Sequence, residues 1–365
     1  MKKEKIYVAL IGIVFFGLSI FTWIKPADDF SISERRQLAQ FPTLNFETIQ
    51  NGNFMEKFEI YTLDQFPFRE TFRSLKAVVH KYIFAQSDNN NIYLADDSIA
   101  KMEYPYNANA IQRTVNKFNR VYEKYMSESD VNVYYALIPD KNYFLAEESG
   151  HLSMDYNALY NDMAEGLPQM QYIEIKDLLS IEDFYRTDTH WKQENILDVA
   201  KHLGESMGTP LFIESEEYET IKLNTPFYGV YYGQLGLPVE PDTLQYMDNP
   251  LFADCIIYDH ENQKEIPMYD LTLAKGRDPY EMFLSGSLSV ITIENPNATT
   301  EKELVIFRDS FGSSITPLLV EGYQKITMLD IRYLNETLIG NFVDFTNQDI
   351  LFLHSTSVVN NISAF

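Results

Sequence analysis

The C-terminal part of the chain constrains the fold most, because short apolar runs alternate there with helical segments. An unbroken apolar run bounded by polar residues is typical of a strand that is buried on both faces of a sheet. Strands that alternate with helices at this spacing pair in parallel, with helices on both faces. The pattern therefore predicts an α/β fold. Its segments are strands at 304–307, 325–329 and 349–353 and helices at 311–322 and 335–341.

The preceding residues add elements of the same two kinds. Apolar side chains recur at helical spacing over 108–127, and Val133–Ile138 reads as a buried strand. Together with the C-terminal elements, these predict a sheet with a helical layer on each side. The remaining predicted elements are helices at 155–165 and 191–204 and a strand at 172–175.

The N-terminus carries an apolar segment of nineteen uncharged residues, Ile6–Ile24, preceded by Lys2, Lys3 and Lys5. About 20 apolar residues span a bilayer as a helix, and flanking lysines favour the cytoplasmic side. A cleaved signal peptide is the alternative, but no small-residue cleavage site follows the segment. We predict a single-pass anchor in the cell membrane, with a cytoplasmic N-terminus and an extracellular main domain.

The domain organisation follows from these segments. We predict an anchor at 1–25, a polar tether at 26–45 and one α/β domain at 46–365. Within this domain, 46–84 predicts a helical N-terminal arm. The stretch at about 210–290 is irregular and rich in Tyr, Pro and Asp, which predicts a β-rich insertion.

The charge of the chain narrows the range of partners. A formal net charge of −24 argues against binding nucleic acid or docking on anionic lipid, because both would repel it. A neutral or cationic partner, or a neutral sugar polymer, fits better, although solubility alone also explains such a surface. The single cysteine, Cys255, permits no internal disulfide and no cysteine-based zinc site.

Two short motifs offer the parts of a nucleophilic site. Ser310 follows the predicted strand at 304–307, and reactive groups collect at the carboxyl ends of parallel strands. Asp188 stands two residues before His190. A serine needs a base to become a nucleophile, and the base needs a carboxylate to orient it. The chain therefore carries a candidate nucleophile, base and orienting acid.

Each motif also has a simpler explanation. Ser310 can cap the helix that follows it, and Asp188 can cap the helix predicted at 191–204. Asp188 and His190 could also bind a metal ion, but no further His or Cys lies near them in the sequence. Ser310 is not part of a Gly-x-Ser-x-Gly elbow, which argues against a standard α/β-hydrolase.

Taken together, several motifs resemble the DHHW-type proteins and, more distantly, the AlgX/AlgJ-like alginate O-acetyltransferases, which are exported members of the SGNH hydrolase-like group. The resemblance extends over about residues 30–355. The motifs are Ser33–Leu38 before Phe41-Pro42, Asp64–Arg69, Ile138–Lys141, Asp188–Trp191, Phe227–Gly229, Asp309–Phe311 and Asp330–Tyr333.

This resemblance implies a three-layer SGNH hydrolase-like fold and a Ser–His–Asp triad whose Asp-x-His pair precedes the serine. Ser310 would be the nucleophile, His190 the base and Asp188 its orienting carboxylate. The implied activity is O-acetyl transfer or acetyl ester hydrolysis on cell-wall or exopolysaccharide sugars. A membrane-bound O-acyltransferase is the implied acetyl supplier. Neither a cofactor nor a metal is implied.

The chain departs from the family pattern in two places. Arg308 replaces the small residue that often precedes Asp-Ser, where it could crowd the nucleophile. Leu284–Ser287 lies where relatives often carry Gly-Asn, whose amide helps to form the oxyanion hole. Gly286 and Ser287 are predicted to substitute for that donor. Phe311, Arg332 and Tyr333 are further candidates for oxyanion or substrate binding.

Two other functions stay open on the sequence alone. A non-catalytic carbohydrate-binding or polysaccharide-assembly protein would keep the fold after its oxyanion loop had degenerated. An extracellular metal-dependent hydrolase would instead use Asp188 and His190 as metal ligands.

Overall fold

A computed structural model gives the structure of the chain and describes residues 2–31, 33–209, 211 and 218–365. The chain divides into two compact units. We name Met1–Asn90 with Tyr232–Glu240 the helical unit, and Asn91–Tyr231 with Pro241–Phe365 the sheet unit. Part of the predicted insertion, at 210 and 212–217, lies outside the described residues.

Helices and strands follow one another along the described residues as expected for a mixed α/β chain. The α-helices are α1 (Lys2–Ile24), α2 (Phe46–Gln50), α3 (Asn53–Asp64), α4 (Arg69–Tyr82), α5 (Ala108–Tyr125), α6 (Lys141–Ser149), α7 (Tyr156–Gly166), α8 (Leu197–Ser206), α9 (Val230–Leu235), α10 (Gly312–Leu319) and α11 (Thr356–Val359). The strands are β1 (Phe30–Ser31), β2 (Arg36–Gln37), β3 (Ile92–Ala95), β4 (Ser98–Lys101), β5 (Asn132–Ile138), β6 (Gln171–Tyr172), β7 (Glu219–Phe227), β8 (Asp242–Asp248), β9 (Ile256–Asp259), β10 (Lys264–Glu265), β11 (Val290–Glu294), β12 (Glu303–Arg308), β13 (Lys325–Leu329) and β14 (Asp349–Ser355).

The sheet unit is built on one eight-stranded sheet with the order β10-β9-β11-β13-β12-β14-β5-β6. The five strands from β13 to β6 are parallel to their neighbours. On the other side of β13, strands β11, β9 and β10 are added with antiparallel pairing. The predicted α/β fold with a sheet flanked by helices is confirmed.

Alternating residues of the central strands feed two separate cores. Leu304 and Ile306 of β12 join a cluster that includes residues of α8 and α10. Val305 and Phe307 point to the other face and join a cluster that includes residues of α5 and α7. Because successive side chains of a strand alternate between faces, an apolar run on β12 covers both layers at once. The result is three layers, helix–sheet–helix.

Helix α5 shows how the sequence selects such a layer. Asn107 caps it by accepting a hydrogen bond from the Ala110 N–H, and the apolar side chains that follow recur every three or four residues. One face of the helix is therefore buried. Burying one such side chain contributes about 1.5–3 kcal/mol relative to exposure. The buried apolar residues of this face are Ala110, Ile111, Val115, Phe118 and Val121.

Three predicted elements have different bounds or geometry. The segment predicted as one helix at 191–204 begins with a 3-10 turn at Gln193–Asn195 and becomes α-helical only at Leu197. The helix predicted at 335–341 is a 3-10 helix, Glu336–Asn341. The strand predicted at 172–175 is confined to Gln171–Tyr172, because only Tyr134 and Tyr135 pair with it.

The described part of the predicted insertion has two structural roles. Strands β7 and β8 form a separate antiparallel pair. Strands β9 and β10 instead extend the main sheet, with β9 joined to it through β11. Strand β9 pairs both with β10 and with β11, which is far away in the sequence. Local sequence therefore indicated only an irregular, β-rich region.

In the helical unit, α1 includes the span Lys5–Ile24, which is long and apolar enough to cross a membrane. After it, the two motifs at Ser33–Leu38 and Asp64–Arg69 are in contact. The Arg36 guanidinium donates to both carboxylate oxygens of Asp64, at 2.8 and 2.6 Å, and lowers the pKa of that carboxyl. Arg69 pairs with Glu34 at 2.6 Å. Part of the predicted tether is therefore hydrogen-bonded to α3 and α4.

Candidate active site

Ser310 lies in the turn between β12 and α10, at the carboxyl ends of the parallel strands. The preceding residue, Asp309, fixes this turn. Its Oδ1 accepts the Phe311 N–H at 3.0 Å, and its Oδ2 accepts the Ser355 N–H at 2.7 Å and the Ser355 hydroxyl at 2.8 Å. The neighbouring strand β14 therefore holds the turn in place. The Ser310 side chain remains half-buried rather than enclosed.

Asp188 and His190 lie in a short loop that is closed by hydrogen bonds at its base. The Tyr185 N–H donates to the His190 carbonyl at 3.0 Å, and Phe184 bridges to Trp191. At the tip, the His190 N–H donates to Asp188 Oδ1 at 3.1 Å. The Asp-x-His spacing thus forms a compact turn, and Asp188 does not cap α8.

The three side chains form one chain of hydrogen bonds although they are far apart in the sequence. His190 Nδ1 lies 2.6 Å from Asp188 Oδ1, and His190 Nε2 lies 2.8 Å from Ser310 Oγ. A carboxylate can only accept, so Nδ1 carries the proton and Nε2 is left to accept from the serine hydroxyl. This is the arrangement in which an imidazole can act as a general base toward a hydroxyl.

The backbone of the Asp188 loop is held by a buried lysine. Lys141 Nζ donates to the carbonyls of Tyr185, Arg186 and Asp188 at 2.7, 2.9 and 3.2 Å. Burial lowers the pKa of Lys141 to about 7, while the nearby carboxylates of Asp242 and Asp188 act in the opposite direction. Three carbonyl acceptors match the three donors of an ammonium group.

A second anchor reaches the same loop from β8. Asp242 accepts the N–H groups of Arg186 and Thr187 at 2.8 and 2.7 Å, and also the Thr187 hydroxyl at 2.5 Å. Charged acceptors make the stronger hydrogen bonds, and leaving such a group unpaired in the interior is costly. Lys141 and Asp242 therefore fix the loop through its carbonyls and its amides respectively.

The backbone at Gly229 and Val230 contacts Asp188 and its neighbour Thr187. Asp188 Oδ2 accepts the Val230 N–H at 2.8 Å, and the Gly229 N–H donates to Thr187 Oγ1 at 2.8 Å. A Cβ at Gly229 would overlap Thr187 O and both Cα and Cβ of Asp188. Only glycine permits this approach.

Aromatic rings enclose the imidazole of His190. The Tyr280 ring stacks on it, with centroids 3.8 Å apart and an interplanar angle of 7°, and the Phe311 ring lies 4.9 Å away. The Tyr280 hydroxyl donates to Ser314 Oγ at 2.7 Å, and Trp191 Nε1 donates to the same oxygen at 2.8 Å. The packing leaves His190 few alternative rotamers.

Two substitutions at Tyr280 separate the ring from its hydroxyl. We expect Tyr280→Phe to lower the free energy of unfolding by about 1 kcal/mol, because one hydrogen bond is lost and the stacked ring stays. Tyr280→Ala should cost about 3–5 kcal/mol, because it opens a cavity beside His190. Urea denaturation of both variants measures the difference. Equal costs would mean that the hydroxyl, not the ring, supports His190.

The loop predicted to complete an oxyanion site has an unusual backbone. Leu284, Ser285 and Gly286 have consecutive positive φ values of 50, 56 and 82°. Left-handed conformations are unfavourable for residues with a Cβ, and such strain clusters at functional sites. Successive backbone N–H groups in left-handed turns can also form anion-binding concavities.

Arg308 connects this loop to β12 and does not crowd Ser310 as its position suggested. Its buried guanidinium Nη2 donates to the carbonyls of Gly286 and Leu288 at 3.1 and 3.0 Å. Ser313 Oγ lies 3.4 Å from the same Gly286 carbonyl. The loop and the nucleophile turn are thus braced together. Burial lowers the pKa of Arg308, and Asp330 opposes that effect.

The remaining predicted residues occupy different environments. The Gly286 N–H donates to the Phe283 carbonyl at 3.1 Å, and Ser287 is exposed. Phe311 is buried against His190, and its N–H is used by Asp309. Arg332 pairs with Asp330 at 2.6 Å, and its guanidinium lies 5.2 Å from the centre of the exposed Tyr333 ring. The Ser310 N–H donates to no acceptor among the described residues.

Sequence reasoning did not identify Lys141, Asp242, Gly229 or Tyr280 as parts of the site. Lys141 and Gly229 did belong to motifs that resemble the family, and this was the available signal. Asp242 and Tyr280 lie in the stretch interpreted as an insertion, where nothing in the local pattern distinguishes them. Among the described residues, no group of three or more His, Cys, Asp or Glu side chains could hold a metal ion.

Comparison with known proteins agrees with this architecture. No family model and no curated protein sequence matches the chain. Solved structures do: a DHHW family protein from Eubacterium siraeum is 22% identical, with 75% of this chain and 92% of that chain covered and a TM-score of 0.58. Bacillus cereus PatB1 is 18% identical, covers 75% of this chain and 98% of its own, and has a TM-score of 0.61.

A second PatB1 structure, which carries a sulfonyl adduct, has a TM-score of 0.59 at the same 18% identity, with 75% of this chain and 97% of that chain covered. The O-acetyltransferase domain of Pseudomonas putida AlgJ matches at 14% identity, with coverage of 75% and 95% and a TM-score of 0.43. At the level of the fold, the resemblance to DHHW-type proteins is confirmed by the Eubacterium siraeum structure.

Proposed function

We propose that the chain is a membrane-anchored, extracytoplasmic O-acetyltransferase or acetylesterase that acts on cell-surface or exopolysaccharide sugars. The observation that carries the proposal is the hydrogen-bonded chain Asp188–His190–Ser310, with distances of 2.6 and 2.8 Å. Two independent anchors on the Asp188 loop support it, because catalytic geometry requires a fixed base.

The proposed reaction has two half-reactions. Ser310 Oγ attacks the carbonyl carbon of an acetyl ester while its proton passes to His190 Nε2. His190 then returns that proton to the leaving oxygen, which leaves an acetyl group on Ser310. A sugar hydroxyl or water next gives its proton to His190 and attacks the acetyl-serine. Collapse of that adduct releases the acetylated sugar or acetate and returns the proton to Ser310.

The negative charge on the attacked carbonyl oxygen needs donors that are already in place. The Ser310 N–H is the first proposed donor, because no described residue accepts from it. The Leu284–Ser287 loop is the second source, through the Ser287 hydroxyl or through Gly286. The Gly286 N–H is now bonded within its own turn, so its use would require that bond to break.

The substrate class and the location rest on other observations. The motif resemblance suggests polysaccharide, and a net charge of −24 disfavours nucleic acid. Helix α1 supports a single-pass anchor, and Lys2, Lys3 and Lys5 favour a cytoplasmic N-terminus with the main domain outside. A membrane-bound O-acyltransferase is the proposed acetyl supplier.

A non-catalytic carbohydrate-binding or polysaccharide-assembly protein is the second candidate. The observation that favours it is that the Gly286 and Phe311 N–H groups are both used inside the fold. These two N–H groups are then not available to stabilise an oxyanion, as a catalytic site requires.

A sulfonyl fluoride tests the two candidates directly. We expect phenylmethanesulfonyl fluoride to modify the native chain on the peptide that contains Ser310, as detected by mass spectrometry. The His190→Ala variant should react far more slowly, because the serine then has no base. Equal, slow labelling of both chains would reject the catalytic proposal and favour the binding protein.

A further inference from the structure

Helix α4 of the helical unit and the residues that cap its two ends carry an apolar stripe along one side. Its positions are i, i+4, i+7, i+11, i+14 and i+15, which lie within roughly one third of the circumference of an α-helix. Apart from the half-buried Val79, each member is at least 45% exposed. We name Phe68, Phe72, Leu75, Val79, Tyr82 and Ile83 the apolar stripe.

The opposite side of α4 is the one that packs within the helical unit. Ala77 is buried, and its methyl group lies next to Gly236. Arg73 donates to the Gly233 carbonyl at 2.6 Å. The helix therefore turns its small and polar side toward the protein and presents large apolar residues outward. Exposed apolar surface of this kind marks a contact with a partner or a membrane.

The stripe begins against the membrane-spanning candidate α1. The Phe68 ring, its first member, stacks on Phe21 with centroids 6.1 Å apart. Phe21 lies about one turn before the end of α1 at Ile24. Nearby, Trp23 contacts Phe58 of α3 at 6.5 Å. Aromatic residues at the end of a spanning helix lie at the level of the lipid headgroups. The stripe is thus continuous with the segment expected to be at that level.

The polar residues of α4 suit the same environment. Of its four Lys and Arg residues, Arg69 and Arg73 are paired with Glu34 inside the helical unit. Lys76 is exposed and borders the stripe. Interfacial helices combine large apolar side chains on one face with Lys and Arg on the other, and long basic side chains reach back to water.

We propose that the apolar stripe of α4 lies in the membrane interface, as a second, in-plane contact beside the spanning helix. The occupant of this surface is the lipid bilayer. The proposal goes beyond the proposed activity and rests on the part of it that puts α1 in the membrane. The attraction between the stripe and the bilayer comes from burial of apolar side chains and needs no lipid charge. Zwitterionic lipid is therefore sufficient for binding.

The full chain reconstituted in phosphatidylcholine vesicles provides the test. Cys255→Ser removes the native thiol, and Leu75→Cys receives an environment-sensitive nitrobenzoxadiazole dye. We expect emission at shorter wavelength than in water, and several-fold stronger quenching by phosphatidylcholine with brominated acyl chains. Phe72→Cys gives a second probe position in case one substitution disturbs the chain. Gln112→Cys, on an exposed position of α5, should show neither effect.

Two outcomes overturn the proposal in distinguishable ways. If alkaline carbonate extracts the chain from membranes, α1 is not an anchor and the stripe loses its basis. If the chain resists carbonate but the dye at 75 and 72 behaves as it does at 112, α1 is embedded and the stripe is not. In that second case the surface belongs to a protein partner. Phe72→Glu with Leu75→Glu should leave the hydrolysis of a soluble ester unchanged in either case.

Discussion

Ser310→Ala should lower the rate of acetate release from p-nitrophenyl acetate by about 10⁴- to 10⁶-fold, the range found when triad members are removed from a serine protease. The reason is that the acetyl group can then no longer be transferred to the protein. The initial rate of p-nitrophenol release measures this. Ser129→Ala removes a hydroxyl that donates to the Tyr125 carbonyl, shortly before the amino end of β5. It is the matched control and should behave as the native chain.

His190→Ala should cost nearly as much, and the double variant little more, because residues that act as one unit are not additive. Asp188→Asn should retain a small residual activity, since the carboxylate orients the base and does not attack. If the native chain and Ser310→Ala release acetate at the same background rate, Ser310 is not the nucleophile.

The central sheet could be predicted because its strands are buried on both faces. Leu304, Ile306 and their neighbours pack against helices above and below, so each run is apolar throughout and local sequence is enough to reveal it. Helix α5 was predictable for the related reason that one side of it is buried at a regular spacing.

The antiparallel additions could not be derived in the same way. Ile291 pairs with Met328 on one side and with Asp259 on the other. Both partners are more than thirty positions away in the sequence, so the pairing depends on tertiary contacts that no local pattern encodes. The bounds of the 3-10 turn before α8 depend on the same kind of context.

The residues of the candidate site fall into the same two groups, those that local sequence reveals and those that depend on tertiary contacts. Asp188, His190 and Ser310 could be proposed from the sequence because their residue types and motifs carry chemistry by themselves. Tyr280 and Asp242 are common residues whose importance comes only from what they touch, the His190 ring and two loop amides. Arg308 was misjudged for a similar reason. Its length suggested a clash, but the side chain reaches the carbonyls of the neighbouring loop.

Gly229→Ala tests whether the position of Asp188 limits the reaction. The new methyl group would lie closer than 3.0 Å to Thr187 O and to the Cα and Cβ of Asp188, which must then move. We expect kcat/KM for an acetyl ester to fall about 10²-fold or more, since a shift of about 1 Å in a catalytic group has that effect. The free energy of unfolding should fall by about 1–3 kcal/mol from overpacking.

The matched control is Gly340→Ala, where the nearest atom is Cε1 of the Tyr125 ring at 3.1 Å and no backbone atom is close. That variant should lose little stability and no activity, because a shift of a few tenths of an ångström relieves the contact and Gly340 does not touch Asp188. Urea denaturation and ester hydrolysis are measured on both. A Gly229→Ala chain that is destabilised but keeps its native kcat/KM would show that Asp188 can shift without cost to the reaction. The inference that the reaction requires a fixed Asp188–His190 pair, held by two anchors on this loop, would then be wrong.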